Sequence, residues 1–158
     1  MYQIPNIEDK TKALYIYLKN NESDNEGDSW YYHHNPTIVS YINNLSKIDC
    51  EKLISQISDW EESMLYNLAD SFLHISNPNL DGYYLYGKIF LKITNVEMGE
   101  YLVQNSHLLR SIAKGSQPIK FYLDLEKKIA LLNDSNALEL VRLKIDEETN
   151  DLNKYKLK

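Results

Sequence analysis

The sequence predicts an all-α fold, a single domain of about eight or nine helices arranged as an irregular bundle of helical hairpins. Apolar residues recur at spacings of three and four in most parts of the chain, which is the spacing of one helix face. Helix-capping residues, proline and glycine separate these parts at short intervals. The 158 residues are enough for one domain with a hydrophobic core.

The first two predicted helices are separated by a polar stretch. Residues 7–19 carry a wide apolar arc and predict the first helix. Residues 20–34 contain glycine, asparagine and several acids, and we interpret them as an acidic surface loop. Asn35 then caps the next helix, in which Pro36 occupies the first helical position. A further helix is expected to begin with a cap at Asp49.

The strongest helical pattern lies in residues 58–75. Ser58 and Glu61 have the spacing of a capping box, in which each side chain bonds a free backbone amide at the helix start. Pro78 biases the residue before it away from helical angles, so we expect the helix to end near Ile75. The apolar stripe consists of Trp60, Met64, Leu65, Leu68, Ala69, Phe72 and Leu73. The opposite face carries Asp59, Glu62, Ser63, Tyr66 and Asp70.

The segment 82–93 has features of both a helix and a strand. It is apolar nearly all round, and apolar and charged residues alternate in part of it. A single strand in a helical chain would leave backbone polar groups unpaired, which is costly when they are buried. We therefore predict a largely buried helix, in which Gly82 and Gly87 allow a neighbouring helix to approach closely.

Three more helices are predicted in the last third of the chain. Thr94 and Glu97 have the spacing of a second capping box. The following helix is expected to stop at Gly115, and Pro118 is expected to begin the next one.

The last helix is predicted to begin at a cap on Asp134 or Ser135. Its pattern becomes mostly polar after Asp146, so a frayed tail is expected from about residue 147. Residues from several of these helices are predicted to be buried in one core: Trp60, Leu65, Leu68, Phe72, Leu109, Ile129 and Val141.

The charge of the chain favours a basic protein partner. The net charge is −6, and residues 1–110 contain 15 acids and 8 bases, whereas residues 111–158 contain 8 acids and 9 bases. Nucleic-acid binding needs clustered Lys and Arg, and the chain has only two arginines, Arg110 and Arg142. An acidic surface instead attracts a basic protein, and no direct contact with nucleic acid or membrane is expected.

The sequence carries no motif for catalysis or metal binding. His33 and His34 are adjacent, so in regular structure their side chains point in different directions and fit one metal ion poorly. Zinc-protease, paired-cysteine, nucleophile-elbow and phosphate-loop motifs are all absent from the sequence. We therefore expect no enzyme activity, no metal and no cofactor. The single Cys50 and the lack of a leader-like N-terminus predict a cytoplasmic protein.

The segment "ESDNEGDSWYYHHNPT" is the first candidate for partner binding. Acids at 24, 26 and 28 would steer a basic partner, and the aromatic residues at 30–32 would supply contact area. An alternative remains open, in which Trp30 and Tyr31 fold back to anchor the second helix. The candidate residues here are Asp24, Glu26, Asp28, Trp30, Tyr31 and Tyr32.

The polar face of the helix in residues 58–75 is the second candidate. It is either a simple solvated face or an acidic recognition surface. Its candidate residues are Asp59, Glu62, Tyr66 and Asp70.

The order of the segments "WEESMLYNLADSF", "YGKIF" and "EYLV" resembles small all-helical bacterial immunity proteins of polymorphic-toxin and contact-dependent growth inhibition systems. The resemblance covers residues 60–109 and identifies no individual binding residue. It implies a cytoplasmic antitoxin that binds a cognate toxin domain, often a nuclease, and blocks it. We expect the protein to act as a monomer in a one-to-one complex. The alternatives are a helical adaptor with another protein partner and an enzyme of unrecognised class.

Overall fold

The computed structural model describes residues 2–24 and 27–156, with side chains to residue 150, and all regular secondary structure in these ranges is helical. The all-α class is therefore confirmed. The helices are α1 Lys10–Asn20, α2 Gly27–Ser29, α3 Asn35–Asn43, α4 Lys47–Ile57, α5 Glu62–Phe72, α6 Gly82–Lys92, α7 Val96–Val103, α8 Ile119–Leu131 and α9 Ser135–Lys156. A π-helical turn, Trp30–His34, joins α2 to α3, and a 3-10 helix, Ser106–Ser111, follows α7.

The chain forms two compact units with the boundary after Lys92. The first unit contains α1–α6 and the second contains α7–α9. The prediction that residues 1–158 form a single domain stays a prediction.

Helix α5 is the centre of the first unit, because it packs against α1, α3 and α6. Its apolar residues Leu65, Leu68 and Phe72 are buried as predicted, whereas Leu73, just after the helix, is only partly buried. Helix α6 begins in direct contact with the end of α5, since a Cβ atom built on Gly82 would lie 1.9 Å from the Phe72 carbonyl oxygen. The helix predicted in residues 82–93 is confirmed by α6. Gly82 allows α6 to approach α5 closely, as predicted.

In the second unit α8 and α9 pack as a pair, and α9 also packs against the 3-10 helix. The predicted core residues Leu109, Ile129 and Val141 are buried. Lys144 and Glu148 are buried on α9 with their charged groups 3.3 Å apart. These two side chains hold α9 to the preceding chain, because Lys144 Nζ donates to a backbone carbonyl at 2.7 Å and Glu148 accepts a backbone amide at 2.9 Å.

The polar residues after Asp146 are part of α9, and the frayed tail from about residue 147 stays a prediction. Helix α9 continues to Lys156. The bond from the Gly115 amide to the Glu148 carboxylate anchors this turn of the helix, and a polar pattern in one sequence does not reveal such a distant partner. The side chains of residues 151–158 lie outside the described part of the chain.

Several helix starts also differ from the predictions. Ser46, rather than Asp49, caps α4, and its hydroxyl accepts the Asp49 amide at 3.2 Å. Helix α5 begins after Glu61, not at the predicted Ser58 box, and it ends at Phe72 rather than near Ile75.

Burial explains the late start of α5. Trp60 is buried and packs edge-on against Tyr15 at 5.5 Å, which draws the residues before α5 into a turn. The Glu61 carboxylate accepts the Tyr15 hydroxyl at 3.2 Å instead of capping the helix. At α7 the cap is Asn95, which accepts the Met98 amide at 3.0 Å, so the Thr94–Glu97 box is also wrong.

Other predicted helix ends are confirmed. Asp134 caps α9 by accepting the Ala137 amide at 3.0 Å. Pro118 immediately precedes α8. The helix expected to stop at Gly115 instead ends as a 3-10 helix at Ser111, so that prediction is wrong. Gly115 lies in the turn beyond it with a φ of +76°, a left-handed conformation that glycine adopts without strain.

Candidate partner-binding surface

Residues 27–34 are helical, so the prediction of a loop over 20–34 is wrong for this part. The Asn35 amide donates to the Trp30 carbonyl, five residues back, which is the hydrogen bond that defines a π-helical turn. The wider turn brings residues five apart to the same side of the helix. Trp30 and Asn35 accordingly both face α5: the Trp30 indole N–H donates to the Asn67 carbonyl at 2.9 Å, and the Asn35 side chain accepts the Ser71 hydroxyl at 2.7 Å.

A row of polar residues on α5 receives this segment. Ser63, Asn67 and Ser71 are four residues apart and therefore lie along one face of the helix. The Ser63 hydroxyl donates to Glu22, and the other two contacts involve Trp30 and Asn35. Glu22, Trp30 and Asn35 thus contact successively later residues of α5. The segment 22–35 therefore runs along α5 in the same direction as the helix. We call this row the α5 seam.

His34 lies fully buried at the centre of a hydrogen-bonded chain. Its Nε2 donates to the Asp24 carboxylate at 2.7 Å, since a carboxylate can only accept, and its Nδ1 is hydrogen-bonded to the Tyr17 hydroxyl at 2.7 Å. Asp24 also accepts the Ser29 hydroxyl at 3.0 Å. The bond from His34, followed by that from Ser29, holds the pKa of the Asp24 carboxyl below its ordinary value.

The two adjacent histidines therefore have different surroundings, as their neighbouring positions predict. Both ring nitrogens of His34 are occupied by internal hydrogen bonds. His33 is exposed and stacks on Tyr2, with ring centroids 4.6 Å apart. The buried histidine ties α1 to the π-helical turn, and burial also raises the pKa of the Tyr17 hydroxyl.

The aromatic residues of the π-helical turn divide into an anchor and an exposed pair. Trp30 is only 6% exposed, so of the two roles that the sequence leaves open for it, the structure supports the anchor. Tyr31 and Tyr32 are 59% and 66% exposed. Their rings meet edge to face with centroids 5.0 Å apart. The two exposed tyrosine rings therefore contact each other at the surface, directly after the buried Trp30.

A shallow cleft of about 270 Å³ opens beside this tyrosine pair. It is lined by Tyr31, Tyr32, Asn35, Pro36, Val39 and His74. Sequence reasoning missed the last four as site residues. Helical spacing contains a signal for two of them, because Val39 follows Asn35 by four residues and His74 follows Asp70 by four.

The acidic face predicted on α5 borders the same segment. Glu62, Tyr66 and Asp70 are partly exposed and stand on successive turns, each one position before a residue of the α5 seam. Burial, and then the charge of Asp70, raises the pKa of the Tyr66 hydroxyl. Asp59 is exposed, but it lies in the turn before α5 and not on the helix.

The three acids of the first candidate segment differ in their exposure and contacts. Asp28 is exposed on α2, four residues before Tyr32. Asp24 is partly exposed and engaged with His34. Glu26 lies outside the described residues.

All of the net negative charge belongs to the first unit. Residues 1–92 contain 13 acids and 7 bases, whereas residues 93–158 contain ten of each. The exposed tyrosines, the cleft and the acidic face of α5 are therefore in the unit that attracts cations.

A second cleft, of about 410 Å³, is lined by the N-terminal segment, Lys10 of α1, and residues of α3, α4 and the turn between them. Its charged residues, Lys10 and Asp49, have opposite signs. This lining therefore favours neither a basic nor an acidic partner.

Among the residues that the structure describes, no three His, Cys, Asp or Glu side chains lie together in a group that would hold a metal ion. Within the same ranges no helix has both the length and the apolar character needed to cross a membrane. Comparisons of this chain with models of protein families, with curated proteins and with solved structures found no match.

Proposed function

We propose that this protein is an immunity protein, a non-enzymatic cytoplasmic antitoxin that binds a basic toxin domain, a nuclease, and neutralises it in a one-to-one complex. The observation that carries the proposal is the exposed Tyr31–Tyr32 pair, which is held on a buried anchor in the acidic unit of the chain.

The tyrosine pair has the properties of a protein-binding hot spot. Tyrosine is enriched at such sites because it offers a large ring and a hydroxyl at a small cost in side-chain entropy. The Trp30 indole and the Asn35 amide hold the backbone beneath the pair against α5. A surface that is already ordered loses less entropy on binding, which favours affinity.

The charge distribution supports a basic partner. A nuclease is positively charged where it holds the phosphates of its substrate, and an acidic surface attracts that region. The partly exposed Glu62 and Asp70, together with the exposed Asp28, supply negative charge in the unit that carries the tyrosine pair. The resemblance of residues 60–109 to all-helical immunity proteins supports the same proposal.

The arrangement of Asp24, His34 and Tyr17 supports a non-enzymatic role. It is similar to a catalytic relay in its residue types, but His34 is fully buried and both its nitrogens are occupied. A relay of this kind stabilises the packing of α1 against the π-helical turn.

Co-expression with the toxin domain encoded by the adjacent gene tests the proposal. The wild-type chain should restore growth and copurify with the toxin domain. The double variant Tyr31→Ala/Tyr32→Ala should fold but lose both properties. Ile48→Ala is the control, because Ile48 is 76% exposed on α4 and its loss should change neither.

A helical adaptor with another protein partner is the alternative, because the same exposed pair and cleft would serve it. Failure of the wild-type chain to bind or protect against the neighbouring toxin would contradict the immunity function. An unrelated adjacent gene, combined with copurification of a different protein that Tyr31→Ala/Tyr32→Ala abolishes, would favour the adaptor.

A further inference from the structure

The cleft beside the tyrosine pair and the acidic face of α5 are parts of one continuous surface. His74, which lines the cleft, follows Asp70 by four residues, and Asp70 follows Tyr66 and Glu62 at the same spacing. Leu73 retains helical angles, and the His74 amide donates to the Ser71 carbonyl at 3.1 Å. The face of α5 that bears the two acids therefore leads directly into one wall of the cleft.

Tyr32, another residue that lines the cleft, is also preceded by an acid. Asp28 is exposed and lies four residues before Tyr32. The segment 22–35 runs in the same direction as α5, as its three contacts with the α5 seam show. Asp28 and Asp70 consequently lie toward the same end of the cleft, so the surface has an apolar end and an acidic end.

The size and lining of the cleft suit a protein side chain. Its volume of about 270 Å³ is just below the ~300–1,000 Å³ of typical small-molecule pockets. Tyrosine rings, Pro36 and Val39 form most of its walls. One apolar side chain from a partner would fit into it and displace water, which is how an anchor residue binds.

We infer that the occupant of this surface is a segment of the basic toxin that inserts one apolar side chain into the cleft and places a Lys or Arg against Asp70. Asp28 adds attraction at the same end. This inference rests on the proposed immunity function, and the net charge of the first unit is the complement of such a segment. Trp30 takes no part, because it is buried beneath the surface.

The test measures the kinetics with which the wild-type protein and its variants bind the purified, catalytically inactivated toxin domain encoded by the adjacent gene. Val39→Trp places a large ring in the cleft and should weaken binding ~tenfold or more through faster dissociation, because the anchor loses part of its site. Asp70→Lys should slow association and reduce its dependence on salt, because screening acts on the attraction between opposite charges.

Two control variants make the same kinds of change on α4, away from the cleft and from Asp70. Ile48→Trp adds a ring to exposed α4, and Glu51→Lys reverses a charge on the same helix. Both should bind like the wild-type chain. Circular dichroism verifies the fold of every variant, and Val39→Phe and Asp70→Asn replace any variant whose thermal midpoint falls.

The outcomes separate the two proposals. Tight binding by the wild-type chain with unchanged kinetics in the cleft and Asp70 variants would overturn the inferred surface and leave the immunity function standing. Failure of the wild-type chain to bind the toxin domain would overturn the immunity function and the inference together.

Discussion

Trp30 and Tyr31 are adjacent in the sequence, yet replacing each by alanine should affect a different property of the protein. Trp30 is 6% exposed, packs against the ring of His34 with centroids 4.6 Å apart, and donates to the Asn67 carbonyl at 2.9 Å. Tyr31 is 59% exposed. Trp30→Ala should therefore reduce stability, whereas Tyr31→Ala should reduce partner binding.

The magnitudes follow from burial. Replacing a buried tryptophan by alanine typically costs ~3–5 kcal/mol, and the lost bond to Asn67 places Trp30→Ala in the upper part of that range. Trp30→Phe keeps most of the apolar contact and loses the hydrogen bond, so it should cost ~1–2 kcal/mol. Tyr31→Ala should stay within ~0.5 kcal/mol of the wild type, because it removes a surface ring.

Urea denaturation followed by far-ultraviolet circular dichroism measures the free energy of unfolding for each variant. The same proteins are then tested for toxin binding under conditions in which all are folded. Tyr31→Ala should weaken binding while Trp30→Phe binds like the wild type. A Trp30→Ala variant that loses less than ~1 kcal/mol, or a Tyr31→Ala variant that loses more than ~2 kcal/mol, would refute the assignment of anchor and contact residue.

Three further predictions concern packing and pH. Gly82→Ala should cost at least ~2 kcal/mol in urea denaturation, because its Cβ would collide with the α5 backbone. Gly99→Ala is the control and should be neutral or slightly stabilising, since its Cβ would meet only side-chain atoms at 3.8 Å or more. Leu68→Ala should cost ~2–5 kcal/mol, and a smaller loss would contradict its full burial. The bond from His34 lowers the pKa of Asp24, so the stability this carboxylate contributes should be present above pH ~4 and be lost as pH falls below that value. Asp24→Asn should therefore show a shallower loss of stability between pH ~5 and ~2 than the wild type, and identical slopes would disprove the linkage.

Local patterns predicted most of the helices because their information lies within a few residues. The apolar stripe of α5, the start of α8 after Pro118 and the cap at Asp134 all depend on neighbours in the sequence. The helical state of residues 82–93 also follows from the sequence, once the cost of an unpaired strand is considered.

The candidate site was predicted only in part. Acidic and aromatic residue types marked the segments around Tyr31 and Asp70, and the structure brings both into the first unit. The sequence did not show that Trp30 is buried, nor that Val39 and His74 line a cleft. These facts depend on which segment packs on α5, and that packing joins residues more than thirty positions apart.

The sequence by itself determined the all-α class, the position of most helices and the location of the negative charge, because periodicity, caps and composition are local properties. Only the tertiary structure decided the π-helical turn, the burial of His34 and the exposure of the tyrosine pair. A π-helical turn has weaker local preference than an α-helix, so it persists where distant contacts stabilise it. Here those contacts are the bonds of Trp30 and Asn35 to α5 and of His34 to Tyr17.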